Sequence, residues 1–413
     1  MQGPMITAVG IDVSKGESMV AIRRPGGEIV KTPFKVKHNA TELKNLICLL
    51  KDVGGDIRVI MEHTGSYWYP IARTLHDAGF YVSVVNAILI HHFSDNSLRK
   101  VKTDRTDALK IANYGLTFWT SLQEYVPADE IRLLLKAQSR LYLRMTDASV
   151  VLRNGLISLL DQTFPGVNKL FASSYRNSAG HYKWVDFAKR FWHRSCVADL
   201  SLNGFSDVYE KWCRRTGYVF NEADVRRIHA HAQNAVATFP KSSSTRTVIV
   251  QSVNSLNAIY DTLQHIRNEM DALVRKLPEY DTVMNMYGVG PITGAQLIAE
   301  IGDVRRFTSK AALVAYAGID APPYQSGSFD AKSRHISKRG SPHLRHVLFL
   351  VCCCIWQNGN SENSIYTFMQ KKHDEGKHYY VCMVAGAAKF LRIYYAKVSE
   401  TLNSLTEELV GTA

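Results

Sequence analysis

"MITAVGIDVS", residues 5–14, is an apolar run that ends on an acid, Asp12. A short apolar run closed by turn residues reads as a buried strand. Two more strands follow, "SMVAIRR" (18–24) and "EIVKTPFKV" (28–36), with "PGG" (25–27) as the turn between them. Strands joined this tightly form a meander. Next comes "NATELKNLICLLKD" (39–52), a helix with Asn39 as its N-cap. "DIRVIMEHTG" (56–65) is a strand with Glu62 near its end, "YWYPIARTLHDAG" (67–79) a helix closed by Gly79, and "YVSVVN" (81–86) another strand. A meander followed by βα units predicts an α/β unit with a mixed sheet over 1–125.

The chain is 413 residues long, which calls for two or three domains. Hydrophobic residues make up 46% and charged residues 21%, the balance of a soluble globular protein. The formal charge of +13 favours a polyanionic partner, nucleic acid or an acidic membrane surface. The longest strongly apolar run, "VLFLVCCCIW" (347–356), is too short to cross a bilayer, and the N-terminus lacks the pattern of a signal peptide, so a cytoplasmic protein is expected. The seven cysteines include an adjacent trio, Cys352 to Cys354, and no CxxC pair. They read as small buried hydrophobes in a reducing compartment, neither a disulfide framework nor a zinc site.

Residues 126–280 change character. "IRLLLKAQSRLYLRMTDASVVLRNGLISLLDQ" is one long helical pattern, and a second lies at 248–277. In the second, Ile259, Leu263, Ile266, Met270, Leu273 and Leu277 alternate spacings of four and three. That heptad seam predicts a helical hairpin or an intermolecular coiled coil, with two core helices of a bundle as the plainer reading. Between them, 165–245 is rich in Trp, Tyr and Arg, as in "KWVDFAKRFWHR" and "YEKWCRRTGY". Such mixtures suit base stacking and phosphate contact, and equally suit amphipathic surface helices. With 21 Lys and Arg against 14 Asp and Glu, 126–280 is the most basic part of the chain.

Residues 281–413, mainly helical, open with "MNMYGVGPITGAQLIAEIGDV". Gly288 and Gly290 between apolar segments give a helix-hairpin-helix pattern, whose glycine turn can offer backbone N–H groups to a phosphate. "AKSRHISKRGSPHLRH" (331–346) holds Lys332, Arg334, Lys338, Arg339 and Arg345 and no acid. It is expected to touch phosphate rather than serve only as a solvated loop.

The acids are the candidate chemistry. Asp12 and Glu62 stand at strand ends, where sites on open sheets are built. In "VKTDRTDALKIA" (101–112), Asp104 and Asp107 are three apart and share one helix face. Together the four could form an oxygen cage for Mg²⁺ or Mn²⁺. Asp104 could instead be the N-cap of a helix starting at Arg105. Lys102 and Arg105 beside the acids suit a site that holds both metal and a phosphate backbone.

"GIDVSK", "MEHTG" and "KTDRTDA", with Asp12, Glu62, Asp104 and Asp107, resemble the RuvC-like, ribonuclease H-fold domain of DEDD-type insertion-sequence transposases, the insertion-sequence one-ten family. "GVGPITGAQLIAEIGD" and "FTSKAALVAYAGIDAPPYQSGSFDAKSRHISKRGSPHLR" resemble its C-terminal transposase domain. The likeness runs nearly end to end; the Trp-rich stretch at 165–245 departs from it and looks like an enlarged insertion.

The resemblance implies a DNA recombinase that excises and inserts its own mobile element in a prokaryotic, nucleoid-associated setting. It implies that the acidic cluster with Mg²⁺ meets a serine of the transposase domain, which attacks a DNA phosphate and forms a covalent phosphoserine. The matching serine is Ser326 in "YQSGSFD"; the residues alone do not select it over Ser328, Ser333 or Ser337. It further implies a structured noncoding bridge RNA that pairs with donor and target DNA, and a homodimer assembling to a tetramer. Two other classes stay open: a RuvC-like junction-resolving nuclease that uses water, and a non-enzymatic nucleic-acid scaffold.

Overall fold

A computed structural model of the chain describes residues 5–63, 65–94, 103–127, 129–171, 176–321, 325–326, 329–330 and 335–411, with side chains at all but 94, 325, 326, 329, 330, 406 and 408–411. It divides into two compact units, 1–127 and 128–413.

The first unit is built on a five-stranded sheet. Its elements are β1 (Ile6–Val13), β2 (Glu17–Arg23), β3 (Ile29–Lys37), α1 (Ala40–Val53), β4 (Asp56–Glu62), α2 (Trp68–Asp77), β5 (Tyr81–Val85), α3 (Ala87–Ser94) and α4 (Asp104–Thr117). The spatial order is β3-β2-β1-β4-β5. β1 pairs antiparallel with β2 and parallel with β4, so the sheet is mixed, as the meander and βα pattern require. β1 is central and buried on both faces: Ala8, Val9 and Ile11 are 0% exposed. Val9 and Ile11 face the core made with Leu46 and Leu50 of α1 and Ile71 and Leu75 of α2. Ala8 faces Ile111 and Tyr114 of α4. Asn39 caps α1, its Oδ1 accepting the Glu42 N–H at 2.9 Å.

The second unit is helical: α5 (Glu130–Thr163), α6 (Lys183–Arg190), α7 (Ser195–Ala198), α8 (Leu202–Thr216), α9 (Glu222–Asn234), α10 (Ser243–Val274), α11 (Tyr280–Met284), α12 (Pro291–Ile301), α13 (Lys310–Ala317), then a hairpin of β6 (Gln325–Ser326) and β7 (Phe329–Asp330), and α14 (Pro342–Asn358), α15 (Ser364–Asp374) and α16 (Tyr379–Gly411). The long helices α5 and α10 pack side by side as a hairpin within the chain. The heptad seam of α10 is therefore occupied. Leu263, with Ile259 beside it, packs in one core of the unit, and Ile266, Met270 and Leu277, with Leu273, in the other. An intermolecular coiled coil on this seam has no free apolar stripe left to use.

The Trp-rich stretch is a packed subdomain, which corrects the stacking expectation. Trp184, Phe187, Phe191, Trp192, Tyr209, Trp212 and Tyr218 are all buried in one core. Their rings stack on one another, Tyr209 with Trp212 at 5.6 Å and Trp212 with Tyr218 at 5.4 Å, and present no platform to bases. Lys189 and Arg190 of α6 and Lys211, Arg214 and Arg215 of α8 form the outer faces of these amphipathic helices, while Lys183 is buried and donates to the Val219 carbonyl at 3.0 Å and to Asp224 at 3.3 Å.

Candidate active site

β1 and β4 run parallel, and Ile11 pairs with Met61 in their register. The next residues, Asp12 and Glu62, thus sit side by side at the same end of the sheet and on the same face. That face is the one covered by α4. Gly10 makes the coverage close: a Cβ there would lie 2.2 Å from the Ala108 carbonyl oxygen and 2.3 Å from the Ala112 nitrogen. Farther along the helix, Gly115 lies over the Ile60 side chain. Two glycines, one on each element, therefore fix α4 antiparallel to β1, with its N-terminus beside Asp12.

Asp104 and Asp107 lie in the first turns of α4. The expectation that Asp104 caps this helix is corrected. Thr103 is the N-cap, in a reciprocal pair with Thr106: the Thr106 N–H reaches Thr103 Oγ1 at 3.3 Å, and the Thr103 N–H reaches Thr106 Oγ1 at 3.0 Å. Asp104 is exposed, with its side chain free of capping duty. Asp107 is half-buried and takes an ion pair from Lys110 one turn on, at 3.0 Å.

The charges of the four acids overlap. Burial, then Asp107, then Asp104, push the Asp12 carboxyl up to about 6. Burial, then Asp12 and Asp107, push the Glu62 carboxyl above the usual carboxylate range, while His91 of α3 pulls the other way. Like charges this close favour protonation unless a cation joins them. Among the described residues, Asp12, Glu62 and Asp104 have no ion-pair partner. The donors are hard carboxylate oxygens, the type that divalent Mg²⁺ and Mn²⁺ take. The residues thus fit such a cation in charge and chemistry. They are not drawn into a finished cage, however: among the described residues no three His, Cys, Asp or Glu side chains stand close enough to hold a metal ion together.

Lys102 lies outside the described residues, and Arg105 is exposed at the start of α4. Sequence reasoning missed Gly10, Thr103, Lys110 and His91. The i, i+3 spacing of Asp107 and Lys110 was a visible signal for one of them.

In the second unit Ser326 is in β6, paired with Phe329 of β7. Ser328, Ser333, Lys332 and Arg334 lie outside the described residues. Ser337 is committed elsewhere, its hydroxyl donating to Asp320 Oδ1. Lys338 and Arg339 are exposed. Arg345 has a structural task as well: its Nη1 donates to the carbonyls of Ala317 at 3.0 Å and Gly340 at 3.1 Å. Gly288 and Gly290 also have structural tasks. Gly288, at φ +82°, lets the turn close on Ile355, where a Cβ would meet its side chain at 2.4 Å. Gly290 is the N-cap of α12, its N–H held by Thr293 Oγ1 at 2.9 Å, so that amide is not open to a phosphate.

A mixed sheet with carboxylates at adjacent strand ends and two more on the helix across them is the arrangement of a DEDD-type, ribonuclease H-like domain. Comparison with known proteins gives the family. The model of DEDD IS110-type proteins, described as "Transposase", matches residues 9–165. The "Transposase IS116/IS110/IS902 family" model matches residues 280–363. The chain is 20% identical to an insertion element IS110 protein of Streptomyces coelicolor, over 95% of this chain and 94% of that one. It is 20% identical to a pilin gene-inverting protein of Moraxella bovis, over 83% and 80%. It is 26% identical to the transposase for insertion sequence element IS1533 of Leptospira borgpetersenii, over 43% and 49%.

The chain belongs to the IS110 family of DEDD transposases. It is an enzyme that cleaves and rejoins DNA. Among the described residues no helix is long and apolar enough to cross a membrane.

Proposed function

We propose that this transposase excises and inserts its mobile element by attack of Ser326 on DNA phosphates beside a divalent cation, Mg²⁺ or Mn²⁺, held by Asp12, Glu62, Asp104 and Asp107. The observation that carries the reading is the gathering of four carboxylates at one end of the sheet with only Lys110 in direct ion pairing among the described residues. The cation would neutralise charge on the transferred phosphoryl group.

The residues do the rest. Ser326 loses its proton and its oxygen bonds to phosphorus. The sugar oxygen leaves and takes up a proton, and the phosphodiester is kept as a phosphoserine for rejoining. Lys338 and Arg339, exposed on the loop after the hairpin, offer charge to the strand. A structured bridge RNA from the element pairs with donor and target DNA, leaving the protein to grip backbones, which suits the formal charge of +13. Dimers assembling to a tetramer supply enough serines for four strand cleavages.

The test is a denaturant-stable protein–DNA adduct formed with Mg²⁺, the element's RNA and its DNA. Wild type is expected to form it and Ser326→Ala to form none. Absence of an adduct in wild type, with cleavage intact, overturns the serine step in favour of water. Full recombination by Asp104→Ala overturns the metal ligand set.

A further inference from the structure

Glu300 of α12 is 1% exposed and gathers cations around it. Arg140 of α5 holds its carboxylate by two bonds, Nε to Oε1 at 3.0 Å and Nη2 to Oε2 at 3.4 Å. From the far side the Ser341 hydroxyl donates to Oε2 at 3.2 Å, and the same hydroxyl oxygen caps α14 by accepting the Leu344 N–H at 3.2 Å. Tyr316 donates to the Glu300 carbonyl at 3.2 Å. Burial alone would raise the Glu300 pKa, but Arg140, Lys136 and His343 outweigh it and hold the carboxyl below its usual range. His343 in turn is lowered by burial, and by Arg140, Lys136 and His346 near it.

One buried acid thus sits where a cationic face of α5 meets a histidine-bearing face of α14. Lys136 and Arg140 are one turn apart on α5; His343 and His346 are three apart on α14. The loop entering α14 adds Lys338 and Arg339, both exposed. This loop is held rigidly. A Cβ on Gly340 would lie 1.9 Å from the Tyr316 carbonyl oxygen, Arg345 bridges the Ala317 and Gly340 carbonyls, and the Lys338 N–H bonds the Gly318 carbonyl at 3.0 Å. Among the described residues Lys136, Lys338 and Arg339 have no ion-pair partner. Unpaired cations spread over a helix and a rigidly held loop, with the charged Arg140 beside them, match an extended polyanion better than a small ligand.

We propose that Lys136, Arg140, Lys338, Arg339 and His346, organised by buried Glu300, form a sequence-independent seat for the phosphate backbone of duplex DNA. The proposal rests on the DNA-cleaving reading only for its choice of DNA. It does not need the serine chemistry.

The test uses the full-length protein in EDTA without RNA, a labelled random-sequence DNA duplex, and affinity measured against NaCl concentration. Lys136→Gln with Arg339→Gln, and separately Lys338→Gln, remove charges from accessible positions. The double variant is expected to bind about tenfold more weakly. Its log K against log salt slope should be shallower by about two, roughly one for each phosphate no longer neutralised. Lys44→Gln with Lys51→Gln, on the exposed side of α1, removes equal charge and is expected to change little. Unchanged affinity and slope, a loss no larger than this control's, or a loss seen only with an RNA duplex overturns the proposal. Ser326→Ala is expected to bind as wild type here, so a failure of the seat and a failure of the serine step are told apart.

Discussion

The Ala108 carbonyl oxygen lies 2.2 Å from where a Cβ on Gly10 would stand, so β1 and α4 touch backbone to backbone. This close approach carries Asp104 and Asp107 to Asp12. It also sets the first prediction. Gly10→Ala must push α4 off the sheet, because main chain cannot rotate aside. Overpacking of this kind costs about 1–3 kcal/mol. Thermal unfolding should show that loss, and strand cleavage should be abolished in the same preparation. Gly115→Ala meets the flexible end of Ile60 at 2.4 Å and should be milder in both assays. Equal effects would refute the role given to Gly10.

Asp12 predicts a pH signature. Its folded pKa of about 6 lies above its ordinary 3.8, so the folded state holds the proton more tightly than the unfolded chain. Stability from this group is greatest below the window and falls as pH rises from 3.8 to about 6. Asp12→Asn should therefore raise the melting temperature above that window and lose its advantage below it. Mg²⁺ should raise the melting temperature of wild type above the window and leave Asp12→Asn unmoved. Calorimetry across pH, with and without the ion, reads both.

Thr103 and Asp104 should separate capping from chemistry. Thr103→Ala removes the cap and should cost about 1 kcal/mol. Asp104→Asn leaves the cap in place and relieves repulsion with Asp12, so its stability should hold or rise while cleavage falls. Denaturant midpoints beside cleavage rates decide this. A large destabilisation by Asp104→Asn would return that residue to a structural role.

Trp184 and Trp212 are 6% and 4% exposed, so they should matter for folding and not for DNA binding. Trp184→Ala and Trp212→Ala should each cost about 3–5 kcal/mol. The DNA affinity of the molecules that remain folded should match wild type. A selective loss of affinity at full stability would put these rings back at an interface.

Much of the architecture was legible because it follows from short-range rules. The apolar runs of β1 to β5, the "PGG" turn and the Asn39 cap are set by neighbours a few residues away. Asp12 and Glu62 were legible as strand-end acids for the same reason. The Asp104/Asp107 pair was not settled locally, since a three-residue spacing fits a cap and a ligand equally well. The backbone at Thr103, φ −145° and ψ 150°, is what assigns the cap to Thr103.

What the sequence by itself determined is where the acids and the elements lie along the chain, because hydrophobic period and turn chemistry act over one or two turns. What only tertiary structure decided is what each side chain meets. Charge does not say that an arginine such as Arg345 holds two carbonyls. Aromatic content does not say inside or outside, and a heptad seam does not name its partner. Those outcomes depend on pairings between residues far apart in sequence, such as Gly10 with Ala108 and Arg140 with Glu300, which exist only once the chain has folded.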